Sequence, residues 1–337
     1  MGEPILIWGA GAIGGTMGAV WHKAGVEVLM VDIVAEHVRA CREDGLKIEG
    51  PVVEFKTTVP TVTPDELSGT YKRIVLAVKS QFTREACEAI KPFLAEDGFV
   101  LSAQNGLNEA IISEVLGAER TMGCFVNFSA DWHGPGQILY GSRGSLVIGE
   151  LDGTTRPRTL EMLELNKIFE PDAIISDNIW GQLWGKMSYM GMLTATALAN
   201  DSMSTNFADP VRFPVWRKIG AEVTTVARAR GITPVGFGEY DPTAFYAELD
   251  DSRAHAVIDW LAAWTATSAK THSGLWRDMA VRKRKTEIQN LESVTVLAAE
   301  LGIEVPLVAA IVKQVKEVED GKRELGYASF QELLDLC

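Results

Sequence analysis

Ile5-Leu6-Ile7-Trp8-Gly9-Ala10-Gly11-Ala12-Ile13-Gly14 opens the chain with a short apolar run that passes straight into glycines at 9, 11 and 14. The run reads as a strand and the residues beyond Gly14 as a helix, so the glycines occupy a strand-to-helix turn. Glycine there permits the tight reversal, lets a pyrophosphate approach the backbone, and allows the helix to pack closely on the strand. Without that setting the same glycines would signify packing alone; within it they form a dinucleotide fingerprint. Gly9, Gly11, Ala12, Ile13 and Gly14 are therefore the expected cofactor-binding residues, with phosphate on the amides near Ala12 and Ile13.

Val28-Leu29-Met30-Val31 reads as the second strand, and Asp32 closes it. A carboxylate at this point can accept hydrogen bonds from the adenosine ribose hydroxyls, which favours NAD(H) and leaves NADP(H) as the alternative. The plain structural reading of Asp32 is a cap on the following helix. Further strands are expected at Ile74 to Val78, Phe99 to Ser102, Thr121 to Val126, Gly136 to Tyr140 and Ser145 to Ile148. The last three lie close together and suggest an antiparallel edge on an otherwise parallel sheet.

Beyond about Pro171 the strand signals fade and long amphipathic stretches take over. Helices are expected at Ile179 to Asn200, Val211 to Arg230, Thr243 to Ala269, Lys285 to Leu301 and Pro306 to Asp320. Gly231 and Gly302 follow two of them, each with proline soon after, as helix stops. The pattern predicts an α/β fold: a Rossmann-type dinucleotide-binding domain over 1–172 and an all-helical substrate and catalytic domain over 173–337.

The length of 337 residues leaves room for two cores, and an apolar share of 47% with 23% charged residues is that of a globular chain. A formal net charge of -13 repels nucleic acid and anionic membranes, so neither is an expected partner. The basic run Arg282-Lys283-Arg284-Lys285 continues in helical pattern and reads as a solvated helix face. Cys41, Cys87, Cys124 and Cys337 stand far apart, which predicts neither a metal site nor a disulfide framework and fits a reducing, cytoplasmic setting. No leader-like or membrane-spanning apolar stretch is seen.

Four further motifs follow the glycine turn: Ala77-Val78-Lys79-Ser80-Gln81, Gln104-Asn105-Gly106-Leu107, Trp184-Gly185-Lys186, and Lys285-Thr286-Glu287-Ile288 with Gly302-Ile303-Glu304-Val305-Pro306 after it. Their order and spacing resemble the ketopantoate reductase family across nearly the whole chain. The resemblance implies that Lys186 is the catalytic lysine, donating a proton to the carbonyl oxygen as hydride arrives from the nicotinamide. It implies that Glu287 helps hold substrate and lysine, that Asn105 lies beside nicotinamide and substrate, and that Lys79 lies near the cofactor. Reduction of a ketone does need a proton donor at the developing alkoxide. Each residue also has a plain reading: Lys186 as a snorkelling side chain, Glu287 as the i,i+4 partner of Lys283, and Asn105 as a turn residue.

The sequence also departs from that family. Where its members carry asparagines four and eight residues after the lysine, this chain has Met190 and Thr194, which lie on the same helix face as Lys186. The stretch Cys124 to Trp132 is unlike the family's, and at Ser273-Gly274 one serine stands where two are usual. Asp32 stands where an NADP-using member would place arginine. His272 and Ser273 are candidate substrate contacts, as are Met190 and Thr194. The expected activity is an NAD-linked reductase of a small 2-oxo acid or related carbonyl, running in either direction, with the site between the domains. Ketopantoate reductase proper and a non-catalytic NAD(H) sensor are the alternatives. A small molecule is the expected partner, and nothing in the sequence stands against a homodimer.

Overall fold

The computed structural model describes residues 3–268 and 270–337. It divides into two compact units, one running to Ile179 and one from Trp180. The strands of the first unit are β1 (Ile5–Trp8), β2 (Val28–Val31), β3 (Leu46–Glu49), β4 (Phe55–Thr57), β5 (Thr61–Val62), β6 (Tyr71–Leu76), β7 (Leu94–Ser102), β8 (Thr121–Val126), β9 (Ser129–Gly134), β10 (Gln137–Ser142), β11 (Leu146–Glu150) and β12 (Ile174–Ile175). Its helices are α1 (Ala12–Lys23), α2 (Ala35–Arg39), α3 (Thr83–Ile90), α4 (Glu109–Leu116) and α5 (Pro157–Phe169).

The main sheet runs in the order β12-β11-β8-β7-β6-β1-β2-β5. From β5 to β8 its strands are parallel, and β11 is antiparallel to β8. Read along the chain, β1 moves first to β2 and β5 on one side and then to β6, β7 and β8 on the other, the Rossmann order with its reversal at β1 and β6. Burial follows the period of two: Ile5, Ile7, Val28 and Met30 enter one core, while Leu6, Trp8, Val31 and Ile74 enter the other. A sheet covered on both faces has continuously apolar strands, which is why Ile5–Trp8 shows no polar alternation.

The segment expected as Gly136 to Tyr140 does not edge this sheet. It forms β10 in a second sheet, β4-β3-β10-β9, where it runs parallel to β3 and antiparallel to β9. Gly134 and Gly136, both at positive φ, turn the chain back between β9 and β10 and so take it out of the main sheet. Trp21 on α1 is wholly buried and donates its indole N–H to the carbonyl of Leu165 on α5 at 2.7 Å.

The second unit is helical: α6 (Ile179–Ala199), α7 (Met203–Ala208), α8 (Phe213–Ala229), α9 (Ser252–Ala266), α10 (Gly274–Trp276), α11 (Gln289–Glu300), α12 (Pro306–Glu319) and α13 (Tyr327–Leu334). The glycine stops hold, with Gly231 and Gly302 at φ of 74° and 66°. Ile232 and Ile303 donate back to Ala227 and Ala298 at 3.0 and 2.9 Å, closing both helices in the Schellman manner.

Two helix expectations are corrected. The stretch from Thr243 to Ala269 is not one helix: a short 3-10 turn at Pro242–Phe245 precedes α9, and Ala269 lies outside the described residues. The guanidinium of Arg217 takes the carbonyls of Phe245, Tyr246 and Leu249 at 2.7, 3.1 and 3.0 Å, acceptors that a continuous helix would use itself. Likewise α11 starts at Gln289 rather than Lys285, because both the amide and the hydroxyl of Thr286 donate to Glu319. The basic run before it is no helix face. Lys283 sits at φ 50°, Arg282 and Arg284 pair with buried Asp278 at 3.2 and 2.9 Å, and Lys285 pairs with Asp320 at 2.8 Å.

Glu109, the first residue of α4, is fully buried. Burial pushes its carboxyl from the ordinary 4.5 up to about 7, opposed by its own backbone amide, the Ser102 hydroxyl and the Cys124 amide. A carboxyl whose pKa is raised by folding favours the folded state most when protonated; that contribution is full below about 4.5 and is lost as pH rises through about 7. Glu109→Gln stays neutral throughout. It should match the wild-type Tm below about pH 4.5, exceed it by a margin that grows up to about pH 7, and keep that margin above it; a Tm difference that does not grow over this range in thermal scans would refute this account.

Candidate functional site

The turn between β1 and α1 is shaped by contacts that exclude side chains. Gly9 has φ 103°, and a β-carbon there would lie 2.9 Å from the backbone of Ala77 and Val78. At Gly14 an added β-carbon would meet the Gly9 carbonyl at 2.1 Å, and at Gly15 it would meet the Ala10 carbonyl at 2.5 Å. Gly11 differs: nothing stands within 4 Å of its would-be β-carbon, so the turn is open on that side. The first turn of α1 carries no acidic residue. Unopposed amides at a helix N-terminus, beside an open glycine, are what a pyrophosphate requires, so the residues present fit a dinucleotide.

Asp32 closes β2 and reaches back into this turn. One carboxylate oxygen accepts from the Ala10 amide at 2.9 Å, and the other accepts from the Val34 amide at 2.9 Å. The helix that follows is capped at Val34 without any side-chain hydrogen bond, so Asp32 closes a local turn and does not cap α2, and each of its oxygens has a second acceptor position. Ile33 follows with 79% of its surface exposed, an apolar face beside the carboxylate.

Lys79 and Asn105 lie in the loops that leave β6 and β7, the two strands next to β1 on the reversed side of the sheet. Gln104 joins these loops, donating from one amide nitrogen to the Val78 carbonyl at 2.8 Å and to the Thr83 hydroxyl at 2.9 Å. That hydroxyl donates to Asn108 at 3.0 Å, and Asn108 donates in turn to the carbonyl of Asn105 at 2.6 Å. Gly9, Gly11, Ala12, Ile13, Gly14, Asp32, Lys79 and Asn105 are therefore gathered at the C-terminal ends of β1, β2, β6 and β7.

In the second unit, Lys186, Met190 and Thr194 follow at one-turn intervals on α6 and are all buried, with 9%, 9% and 1% of their surfaces exposed. The Thr194 hydroxyl donates to the Met190 carbonyl at 2.8 Å, so as a donor it is committed to the helix. Glu287 sits in the turn before α11, and its carbonyl accepts from Asn290 at 3.1 Å. Since Lys283 lies outside any helix, an i,i+4 pair with Glu287 is not its explanation. Ser273 caps α10 by accepting from Trp276, and the His272 ring stacks on Trp276 at 4.0 Å while its Nδ1 contacts the Thr271 hydroxyl at 2.9 Å. Burial and the nearby Arg277 hold the His272 pKa below its ordinary value.

Two family models, described as ketopantoate reductase PanE/ApbA and its C-terminal domain, match residues 5–153 and 178–319. The chain belongs to the ketopantoate reductase family. A 2-dehydropantoate 2-reductase of Streptococcus pyogenes is 22% identical over 318 residues, covering 94% of this chain and 97% of that one. A PanE/ApbA family ketopantoate reductase of Ralstonia eutropha superposes with a TM-score of 0.79 at 25% identity, covering 95% and 100% of the two chains. D-mandelate dehydrogenase in complex with NADH and anilino(oxo)acetate shares the fold, with a TM-score of 0.83 at 22% identity over 95% and 99%. As a member of this family the chain is an NAD(P)-dependent oxidoreductase acting on a CH–OH group or its carbonyl.

Sequence reading alone passes over Thr83, Asn108 and His37. Gln104 precedes Asn105 in the motif that points to the cofactor and Asn108 follows directly after that motif, so a polar cluster between strand and helix is the available signal. Nothing in the sequence marks His37, a lone histidine in a short helix. For this ketopantoate reductase relative, Gly14→Ala should abolish detectable NADH binding, because the new methyl group would overlap the Gly9 carbonyl. Gly11→Ala, in open space, should bind NADH far better than Gly14→Ala; the reverse order by calorimetry would refute this reading of the turn.

Proposed function

We propose that this ketopantoate reductase relative interconverts a small 2-oxo acid and its 2-hydroxy acid with NAD(H), on a substrate more apolar and with fewer hydroxyls than ketopantoate. The observation that carries the reading is the buried face of α6, where Lys186 is followed one turn later by Met190 and then by Thr194, whose hydroxyl is already bonded to the helix. A substrate hydroxyl facing methionine goes unpaired on desolvation, at a cost on the order of 1–3 kcal/mol. A thioether is a suitable surface for an apolar body.

The dinucleotide, when bound, supplies or accepts the hydride. Lys186 then holds the proton at the carbonyl oxygen, giving it to the developing alkoxide or withdrawing it in the other direction. Asn105 orients the carbonyl beside the nicotinamide, Lys79 supports the cofactor, and Glu287 positions the lysine and the substrate. His272 and Ser273 are secondary candidates for the substrate carboxylate. Asp32 supports NAD(H): a carboxylate about 4 Å from a 2′-phosphate would cost up to roughly 4 kcal/mol at an effective dielectric near 20. The exposed Ile33 next to it offers an apolar face to an adenine.

Steady-state kinetics with a panel of 2-oxo acids and both cofactors test the proposal. NADH should outperform NADPH, and an apolar 2-oxo acid should outperform ketopantoate; equal or better kcat/KM for ketopantoate with NADPH would identify the enzyme as a 2-dehydropantoate 2-reductase instead. Binding of NADH without turnover of any carbonyl would make it a sensor. Lys186→Ala should lower kcat by about 10² to 10⁴-fold with NADH affinity nearly unchanged; near-normal turnover would assign the proton donor elsewhere.

A further inference from the structure

Ala10 stands between the first two glycines of the turn, and its flanking backbone groups are held by side chains from one short segment. Its amide donates to Asp32, and its carbonyl lies 2.8 Å from Nε2 of His37 on α2. That carbonyl also lies against Gly15, where any β-carbon would come within 2.5 Å of it. His37 is 1% exposed. Its other nitrogen, Nδ1, accepts from the amide of Gly136 at 3.0 Å and faces the indole N–H of Trp132 at 3.4 Å. Both of these groups are donors only, so Nδ1 must present a lone pair. Nε2 then carries the hydrogen and donates it to Ala10. The remaining titratable groups near the ring do not compete for this bond. The Cys41 thiol, 3.6 Å from Nε2, is pushed up to about 12 by burial, and Asp32 is engaged with the amides of Ala10 and Val34.

We propose that His37, as its neutral Nε2–H tautomer, is the positioning residue of the dinucleotide turn. It fixes the Ala10 carbonyl and ties the turn to the hairpin of β9 and β10, so that the amides at the start of α1 point outward before any ligand arrives. His37 touches neither phosphate nor substrate. Its contribution is to remove the alternative orientations of the peptide following Ala10, which a glycine-flanked turn would otherwise sample. The inference rests on the dinucleotide reading of this turn, but the state of the imidazole is observable without any ligand.

The test has two parts. In wild-type protein labelled with 15N-histidine, long-range proton–nitrogen NMR should show one buried imidazole as the neutral Nε2–H tautomer, and its signal should disappear in the His37 variants. A protonated Nδ1 would overturn the proposal even if no variant could be purified. In the second part, NADH affinity is measured by quenching of tryptophan fluorescence in the absence of substrate. His37→Leu leaves the buried Ala10 carbonyl and the Gly136 amide unsatisfied and should weaken NADH binding about 10- to 100-fold. His37→Gln can both donate to Ala10 and accept from Gly136, and should recover most of the loss. With NADH saturating, kcat in both variants should stay near wild type, a split between KM and kcat that general destabilisation would not produce. Unchanged NADH affinity in His37→Leu, or a Gln variant as weak as the Leu variant, would overturn the assignment. Wild-type protein that binds no dinucleotide would instead refute the proposed function.

Discussion

The whole first unit depends on how closely the start of α1 returns to the end of β1. The Gly9 carbonyl lies 2.1 Å from where a side chain at 14 would begin, closer than any non-bonded atoms can stand. Because residue 14 carries no side chain there, α1 packs back onto the sheet, with Met17, Ala19 and Trp21 in the core beside Ile5, Ile7 and Met30. The same closeness leaves the helix amides unshielded at its N-terminus. The packing of α1 and the form of the turn before it are consequences of one steric condition.

The residues around the turn are themselves tied into the scaffold. Asp32 uses one hydrogen-bond position on each oxygen to hold Ala10 and Val34. Gln104, Thr83 and Asn108 form a chain of hydrogen bonds between the loops that bear Lys79 and Asn105. Flexible loops would have to be ordered at the expense of affinity; loops cross-linked by buried amides are ordered beforehand.

In the helical unit α6 plays the corresponding part. It is buried along almost its whole length, and its glycines are notches: the Val235 carbonyl sits where a side chain at 185 would be, and Ile219 packs where one at 191 would be. Lys186 and Met190 are therefore carried on a helix gripped from its sides. Glu222 on α8 adds to that rigidity by accepting from the amides of Leu307 and Val308 at 3.0 and 2.8 Å, capping α12 with a buried carboxylate.

The sequence by itself determined what local periodicity and steric demand can encode. Ile5–Trp8, Val28–Val31 and Thr121–Val126 were legible because strands buried on both faces are apolar throughout, and the glycine turn because no other residue fits it. Long helices such as α6 and α12 were legible for the same local reason, and the stops at Gly231 and Gly302 because their φ angles favour glycine. The second sheet was not, since β3, β4 and β9 are only partly buried, carry no continuous apolar run, and have their pairing set by partners far along the chain. Nor were the boundaries of α9 and α11, where Arg217 and Glu319, distant in sequence, take the hydrogen bonds that would have extended each helix. The basic run at 282–285 is largely exposed as expected but not helical, and of its acids Asp278 is a local neighbour while Asp320 meets it only in the folded chain. His37 makes the same point: its residue type was visible, but Ala10, Trp132 and Gly136 come together around it only when the sheet, the turn and the hairpin have assembled. Hydrogen bonds act over about 3 Å, whatever the separation in sequence, and only tertiary structure brings such partners within that range.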